Sequence, residues 1–266
     1  MSDLKSKILD LQNTSETLEP TEEDRNRYLA EVHAYANKFL NNLPNTKAFS
    51  NEPILRDKFK ISDKQKSITS ILGIYEKEIA TKGINAASGG HLGYIPGGGI
   101  YTSSLADYLV DITNEYVGVN YSSPGGVAVE LEILDWLKTI FGFPQSAIGN
   151  LASGGSIANL IALTAARDKY GIKNDRITKS VIYVSQQVHH CINKALKIIG
   201  LEDVIIHHVE LDSGSRIIPD DLQAKIDLDV ANGLSPFMVI ASAGTTDTGA
   251  IDPLNELAEI ATKNGL

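Results

Sequence analysis

The stretch LASGGSIANLIALTAARDKY, residues 151–170, is the part of the chain from which the rest is best interpreted. Apolar residues recur at helical spacing after a Gly-Gly turn, which predicts a helix that begins at or near Ser156. A helix entered through Gly154 and Gly155 presents unpaired N–H groups at its positive end, beside the hydroxyls of Ser153 and Ser156. Such an end can bind a phosphate group, although the same residues also suit an ordinary N-cap.

Composition excludes several classes of partner. The 266 residues are 42% hydrophobic, which is enough for a substantial core in one or two domains. A formal net charge of −9 argues against nucleic acid, whose phosphates select for basic patches. The sequence has no apolar run long enough to span a membrane, and its N-terminus lacks the apolar core of a signal peptide. The single cysteine, Cys191, rules out an internal disulfide framework, so we expect a reducing, cytoplasmic location.

The first hundred residues are expected to be mainly helical. Residues 1–20 are polar and poorly patterned, so we expect them to be mobile unless they dock on a partner, with order beginning at Pro20. Thr21 is a predicted N-cap of a helix that ends near residue 42, and a second helix is predicted over 62–82. The glycine-rich segment 83–100 is a loop by composition. It is either a linker or the lining of a site, and its apolar residues favour the second.

Strands and helices then alternate along the chain. Helices are predicted over 101–116 and 129–141 before this alternation begins. Short apolar runs predict strands over 147–152, 180–185, 203–209 and 236–242, and helices over 156–170, 190–199, 219–231 and 254–263. This order predicts an α/β fold with a mostly parallel sheet flanked by helices. Ligands bind such sheets at the carboxyl ends of the strands, which points to the loops 152–156, 185–190 and 242–250.

The second of these loops contains His189 and His190, directly after a buried strand. A histidine in this place is often a surface residue, but at this sheet edge the imidazole of His189 could cover a planar ring or exchange a proton. A zinc site that combines both with His207 and His208 is a weaker alternative. These two lie in a strand pattern and must face opposite ways.

The third loop, ASAGTTDTGAIDPL, is rich in small hydroxyl side chains. Thr245, Thr246 and Thr248 either satisfy the backbone of their own loop or point as donors into a crevice shared with the other two loops, which we favour. Asp252 is predicted to cap the following helix, with Pro253 as its first residue.

The motifs LASGGSIANL, SQQVHHCINKAL and SAGTTDTGAIDPL, in this order and spacing, resemble the pyridoxal-phosphate-dependent group II amino-acid decarboxylases. The segments 91–99 and 122–144 resemble the same family, so the likeness runs from about residue 85 to the end. It implies the fold type I of the aspartate-aminotransferase-like enzymes, pyridoxal 5'-phosphate as cofactor, an amino-acid substrate and a homodimer with shared active sites.

The resemblance also implies roles for particular residues. Gly155 and Ser156 would bind the cofactor phosphate, His189 would stack on the pyridine ring as the catalytic residue, and Thr246 would contact the cofactor. Tyr94 and Ile95 would line the substrate pocket. Two positions depart from the family pattern, because Ile157 stands where a glutamate is common and Gly97 replaces a hydroxyl residue in the substrate loop.

In the family, the Schiff-base lysine and the aspartate that pairs with the pyridine nitrogen lie further along the chain than Leu266. We therefore expect residues 1–98 to form an N-terminal helical segment with the substrate loop, and residues 99–266 to be the first, incomplete part of the large domain. The implied reaction of the complete enzyme is decarboxylation of an L-amino acid to an amine. The alternatives are a carbon-carbon lyase of the same fold, similar to sphingosine-phosphate lyase, and a non-catalytic fragment or interaction module.

Overall fold

The computed structural model of the chain describes residues 2–16 and 18–266, which divide between two compact units, one ending at Leu109 and the other beginning at Val110. The N-terminal unit is mainly helical. Its helices are α1 (Ser2–Glu16), α2 (Glu22–Asn42), α3 (Ile68–Tyr75, continued by a π-helical turn over Glu76–Ala80) and α4 (Tyr101–Thr113), which crosses the boundary between the units. The short strands β1 (Phe49–Ser50) and β2 (Gly83–Ile84) pair antiparallel.

The start of α2 confirms the predicted cap, because the Thr21 hydroxyl accepts the N–H of Asp24 at 3.1 Å. The start of α3 is later than predicted, since the Ser67 side chain caps the helix by accepting the N–H of Ser70. The expectation that order begins at Pro20 was wrong, because residues 2–16 form α1; residues 1 and 17 lie outside the described residues. An i,i+4 ion pair between Asp3 and Lys7 supports that helix.

A parallel sheet forms the centre of the C-terminal unit, as predicted. Its strands are β3 (Ser180–Val184), β4 (Ile205–His208) and β5 (Ser235–Ile240), in the order β4-β3-β5. All five residues of β3 are buried, which is typical of a central strand covered on both faces. The predicted strand over 147–152 was wrong: these residues pair with no described strand, and Ile148 is 97% exposed.

Side chains alternate across β3 and divide the core into two clusters. Ile182 and Val184 pack on one face with residues of α6 (Gly155–Tyr170) and α7 (Cys191–Ile198). Val181 and Tyr183 pack on the other face with residues of α8 (Pro219–Ala231) and α9 (Leu254–Asn264). These four helices confirm the predicted ones to within two residues at either end, and α5 (Pro124–Phe141) begins five residues before its predicted start at 129. Among the described helices, none is both long enough and apolar enough to cross a membrane.

Candidate functional site

The N-terminus of α6 is the first component of the site. Gly154 precedes the helix, and no side chain of the described residues caps it by a hydrogen bond. The first backbone bonds run from the N–H groups of Ile157 and Ala158 to the Gly154 carbonyl, both at 3.1 Å, which leaves the N–H groups of Gly155 and Ser156 outside them. The Asn159 side chain donates to the Gly155 carbonyl at 2.8 Å and so stabilises the first turn.

The space in front of this helix end is open. A Cβ atom built on Gly154 or on Gly155 meets no heavy atom within 4 Å, and both Gly155 and Ser156 are exposed. Free N–H groups at the positive end of a helix dipole, with space beside them, are what a phosphate dianion requires. The residues present therefore fit a bound phosphate group.

The second component is the loop between β3 and α7. His189 and His190 are exposed directly before α7, and their rings lie in contact, with a centroid distance of 4.1 Å and a tilt of 38°. The N–H of Cys191 donates to Nδ1 of His189 at 3.2 Å, so the proton of the neutral imidazole is on Nε2. The charges of His189 and Lys194 lower the pKa of His190, which favours its neutral form.

The third component is the loop after β5. Thr245 is buried, and its Oγ1 lies 2.7 Å from Oγ1 of Thr248 and accepts the N–H of Ala250 at 3.2 Å. Thr248 also donates to Oε1 of Gln187, at 3.4 Å. Thr245 and Thr248 therefore form hydrogen bonds within the third loop, and Thr248 also bonds to the second loop. Of the three threonines, only Thr246 has an exposed side chain whose hydroxyl bonds to no other described residue.

Asp252 has a different role from the predicted helix cap. Its carboxylate is buried, with 4% of the residue exposed, and accepts the N–H of Ser242 at 2.7 Å and that of Ile217 at 2.8 Å. Both oxygens are thus occupied by other segments, and Pro253 occupies the N-cap position of α9, without a side-chain bond. Asp252 joins both ends of the third loop to the segment before α8.

The other two histidines of the zinc hypothesis lie in a different environment. His207 is half-buried, with Nδ1 at 2.9 Å from Oδ2 of Asp229, whereas His208 is exposed. The same carboxylate oxygen accepts the hydroxyl of Tyr183 at 2.6 Å. The described residues include no group of three or more His, Cys, Asp or Glu side chains that could hold a metal ion.

The predicted substrate residues belong to the N-terminal unit. Tyr94 is 69% and Ile95 is 72% exposed. Ser88, earlier in the same glycine-rich segment, is buried. The Ser88 hydroxyl donates to the Thr46 carbonyl at 2.6 Å. Tyr94 has φ +66°, a left-handed conformation that is rare for a bulky residue and that often marks a functional segment.

The second and third loops are joined by a direct hydrogen bond, whereas the start of α6 has no described bond to either of them. Gln187 and Thr248 join the second and third loops by a hydrogen bond. The helices α6 and α7 share one core cluster through Leu163 and Cys191, but no described contact joins Ser156 to His189 or Thr246. Gln187 was missed by sequence reasoning and carries no signal there, whereas Asp229 follows Leu222 and Ile226 at helical spacing and could have been found on the buried face of α8.

Comparison with known proteins gives the family. The model of the pyridoxal-dependent decarboxylase conserved domain matches residues 52–266. The chain is 41% identical over 169 residues to an aromatic-L-amino-acid decarboxylase of Bacillus atrophaeus, covering 64% of this chain and 35% of that protein. It is 30% identical over 218 residues to tyrosine decarboxylase 2 of Narcissus pseudonarcissus, covering 77% and 43%. The chain thus spans less than half the length of these curated relatives.

Solved structures show the same fold. The tryptophan decarboxylase of Catharanthus roseus, in complex with L-tryptophan, matches with a TM-score of 0.81 at 24% identity, over 92% of this chain and 56% of that one. The glutamate decarboxylase domain of a Vibrio parahaemolyticus protein matches with a TM-score of 0.80 at 19% identity, over 93% and 58%. The predicted fold type I is confirmed. The chain belongs to the family of pyridoxal-dependent decarboxylases, whose cofactor is pyridoxal phosphate.

Proposed function

We propose that the full-length protein removes the α-carboxylate of an L-amino acid as carbon dioxide and releases the amine. The observation that carries this proposal is the uncapped N-terminus of α6, which faces open space in a chain of the decarboxylase family. When bound, pyridoxal phosphate supplies an electron sink for the pair released as the carboxylate leaves. The curated relatives described above include decarboxylases of aromatic amino acids, which makes such amino acids the first substrates to test.

The residues of this chain have three proposed tasks. The N–H groups of Gly155 and Ser156, with the Ser156 hydroxyl, bind the cofactor phosphate. The imidazole of His189 covers the cofactor ring and can hold or transfer a proton at Nε2, since Nδ1 accepts the N–H of Cys191. Thr246, whose hydroxyl has no other described partner, contacts the cofactor.

The remaining proposals concern substrate, organisation and location. Tyr94 and Ile95 line the substrate pocket, as the exposure of both side chains permits. Residues 1–98 serve as the helical segment with the substrate loop, and residues 99–266 as the first part of the cofactor-binding domain. A homodimer with shared active sites is supported by the family resemblance alone. A cytoplasmic location is supported by the single, buried cysteine, Cys191.

A product assay tests this function. The full-length protein, loaded with pyridoxal phosphate, is incubated with carboxyl-labelled L-tyrosine, L-tryptophan or L-glutamate. The amounts of carbon dioxide and amine that are released are then measured and compared. Stoichiometric release from at least one substrate supports the proposal. A β-hydroxy amino acid such as phenylserine is assayed in parallel, because a carbon-carbon lyase would cleave its Cα–Cβ bond to an aldehyde and leave the carboxylate in glycine. Aldehyde and glycine in equal amounts, without carbon dioxide, support the lyase alternative, and no product from any of these amino acids supports the non-catalytic alternative.

A further inference from the structure

Three side chains connect the second and third loops of the site in a line, and we call them the threonine relay: Thr245, Thr248 and Gln187. The hydroxyl oxygens of Thr245 and Thr248 lie 2.7 Å apart, and the Thr248 hydroxyl reaches Oε1 of Gln187 at 3.4 Å. At the other end, the N–H of Ala250 donates to Oγ1 of Thr245 at 3.2 Å. The relay joins residues that are 61 positions apart in the sequence.

The chemistry of the groups fixes the direction of the relay. The amide oxygen of Gln187 can only accept, so the Thr248 hydroxyl donates to it and in turn accepts the hydroxyl proton of Thr245. Thr245 is then free to accept from Ala250. The Ala250 N–H also donates to Oγ1 of Thr248, at 3.4 Å, so the bonds run from Ala250 through both threonines to Gln187, and bonds arranged in this manner strengthen one another. Removing the acceptor at Gln187 leaves the hydroxyl proton of Thr248 without its acceptor in the second loop and so weakens the relay.

The relay clamps the turn that carries Thr246 to the loop that carries His189. The turn is closed by two backbone bonds, from Gly249 N–H to the Thr245 carbonyl at 2.9 Å and from Thr245 N–H to the Ala250 carbonyl at 3.0 Å. On the other side, the N–H of Gln187 donates to the Ser185 hydroxyl at 3.2 Å, directly after β3. Gln187 is therefore held at its backbone by one loop and at its side chain by the other.

We infer that Gln187 is a positioning residue that fixes the separation of His189 and Thr246, so that both contact one cofactor ring. This inference rests on the proposed function of the site. It assigns to Gln187 no contact with the cofactor, because its effect passes through Thr248 and Thr245. The consequence is that removing either the Gln187 side chain or the Thr248 hydroxyl weakens cofactor binding.

Affinity for pyridoxal phosphate tests the inference in the full-length protein, with apoprotein titrated by fluorescence. Gln187→Ala and Thr248→Val should each raise the Kd about three- to tenfold, the effect of one lost hydrogen bond. Thr248→Val also removes the bond to Thr245, so its effect should be at least as large as that of Gln187→Ala, and the double variant should bind no more weakly than Thr248→Val alone, because Gln187 then has no bond to Thr248 left to lose. Thr248→Ser keeps the hydroxyl and is the matched control, with a Kd that stays close to that of the wild type.

Hydrogen exchange of the Ala250 N–H in the apoprotein tests the relay without the cofactor. This exchange should be faster in Gln187→Ala and Thr248→Val, and unchanged in Thr248→Ser. Faster exchange with an unaltered Kd would overturn the positioning role, and unaltered exchange in Gln187→Ala would overturn the relay itself. If the wild type binds no pyridoxal phosphate, the proposed function fails, and the relay is then judged on the Ala250 exchange alone.

Discussion

His189 and His190 are neighbours with different surroundings, and this difference gives a prediction at the level of single residues. The orientation of the His189 ring is fixed by the Cys191 N–H, whereas no hydrogen bond to another described residue holds the ring of His190. His189→Ala should lower the turnover of the full-length enzyme at least about tenfold, because a ring-covering and proton-holding group is lost. His190→Ala should have a small effect. Steady-state kinetics of both variants measure this, and a reversed ranking would show that the loop has been assigned one residue out of register.

Asp252 gives a prediction about stability. Its carboxylate satisfies two backbone N–H groups in a buried place, so Asp252→Ala should lower the free energy of unfolding by about 2–4 kcal/mol. Asp252→Asn keeps one acceptor oxygen and should lose less. Urea unfolding followed by circular dichroism measures both, with Asp247→Ala at an exposed position of the same loop as control. Equal stability of Asp252→Ala and the control would contradict the assigned role.

Asp252 and Asp229 show how far the role of a single residue could be predicted from the sequence. The pattern Asp-Pro before a helix predicts a cap, and it failed at Asp252 because a distant segment, at Ile217, offered an N–H to the same carboxylate. A bond across 35 residues leaves no trace in local spacing. Asp229, in contrast, lies on the apolar stripe of α8, where a carboxylate must find partners. Its burial was predictable, although Tyr183 and His207 as its partners were not.

At the scale of elements, β3 shows why most of the sheet was predictable and one strand was not. Five consecutive buried residues, Ser180–Val184, need helices on both faces, and the alternation of strands and helices in the sequence supplies them. The segment 147–152 is also mostly apolar, but it contains Gly149 and Asn150, which are residue types depleted in strands, and no described strand pairs with it. The residue types of a segment indicate whether it can form a strand, but hydrogen bonding to a neighbouring strand decides whether it does.

The cluster of Tyr183, Asp229 and His207 joins β3, α8 and β4, and gives a pH-dependent prediction. Burial, then the hydrogen bond and charge of Asp229, raise the pKa of Tyr183 well above its ordinary value. In the unfolded chain Tyr183 ionises near pH 10, whereas in the folded state it stays protonated, so its contribution to stability is complete below about pH 10 and is lost as the pH rises further.

The variant Tyr183→Phe separates this contribution from the rest. It should lower the melting temperature at pH 8, because Asp229 loses a donor, and it should make the further fall between pH 8 and pH 11 smaller than in the wild type. Thermal melting at both values measures the two effects. Tyr28→Phe, in the other unit and outside this cluster, is the control. If the melting temperature fell by the same amount between pH 8 and pH 11 in Tyr183→Phe and in the wild type, the result would contradict a stabilising hydrogen bond from Tyr183 to Asp229.

At the scale of the whole molecule, the chain exposes more apolar surface than an isolated soluble protein commonly carries. Both α4 and α5 carry exposed apolar residues, as other parts of the chain do: Leu105, Tyr108, Leu109, Val110, Ile112, Val129, Leu131, Trp136, Ile140 and Phe141. Surface of this kind is typical of a face that another protein segment covers. Burial of each such side chain stabilises an association by about 1.5–3 kcal/mol at most.

We therefore expect residues 1–266, expressed alone, to self-associate. Gel filtration with light scattering should show species larger than the monomer at micromolar concentration, together with binding of a dye that fluoresces on apolar surfaces. Replacing Trp136 by Lys, in the middle of the exposed stripe of α5, should reduce the association without lowering the helical content. A monodisperse monomer that binds no dye would contradict this expectation.

The central claim is that the N-terminus of α6 binds the phosphate of pyridoxal phosphate, and one comparison tests it most directly. Ser156→Asp adds a carboxylate to the first helical turn, where it favours the helix but repels a phosphate dianion, so a loss of binding is separated from a loss of folding. Titration of the full-length apoprotein should show that Ser156→Asp raises the Kd for pyridoxal phosphate at least about tenfold, whereas Ser153→Ala changes it by less than about twofold. Equal affinity in Ser156→Asp and the wild type would contradict the claim.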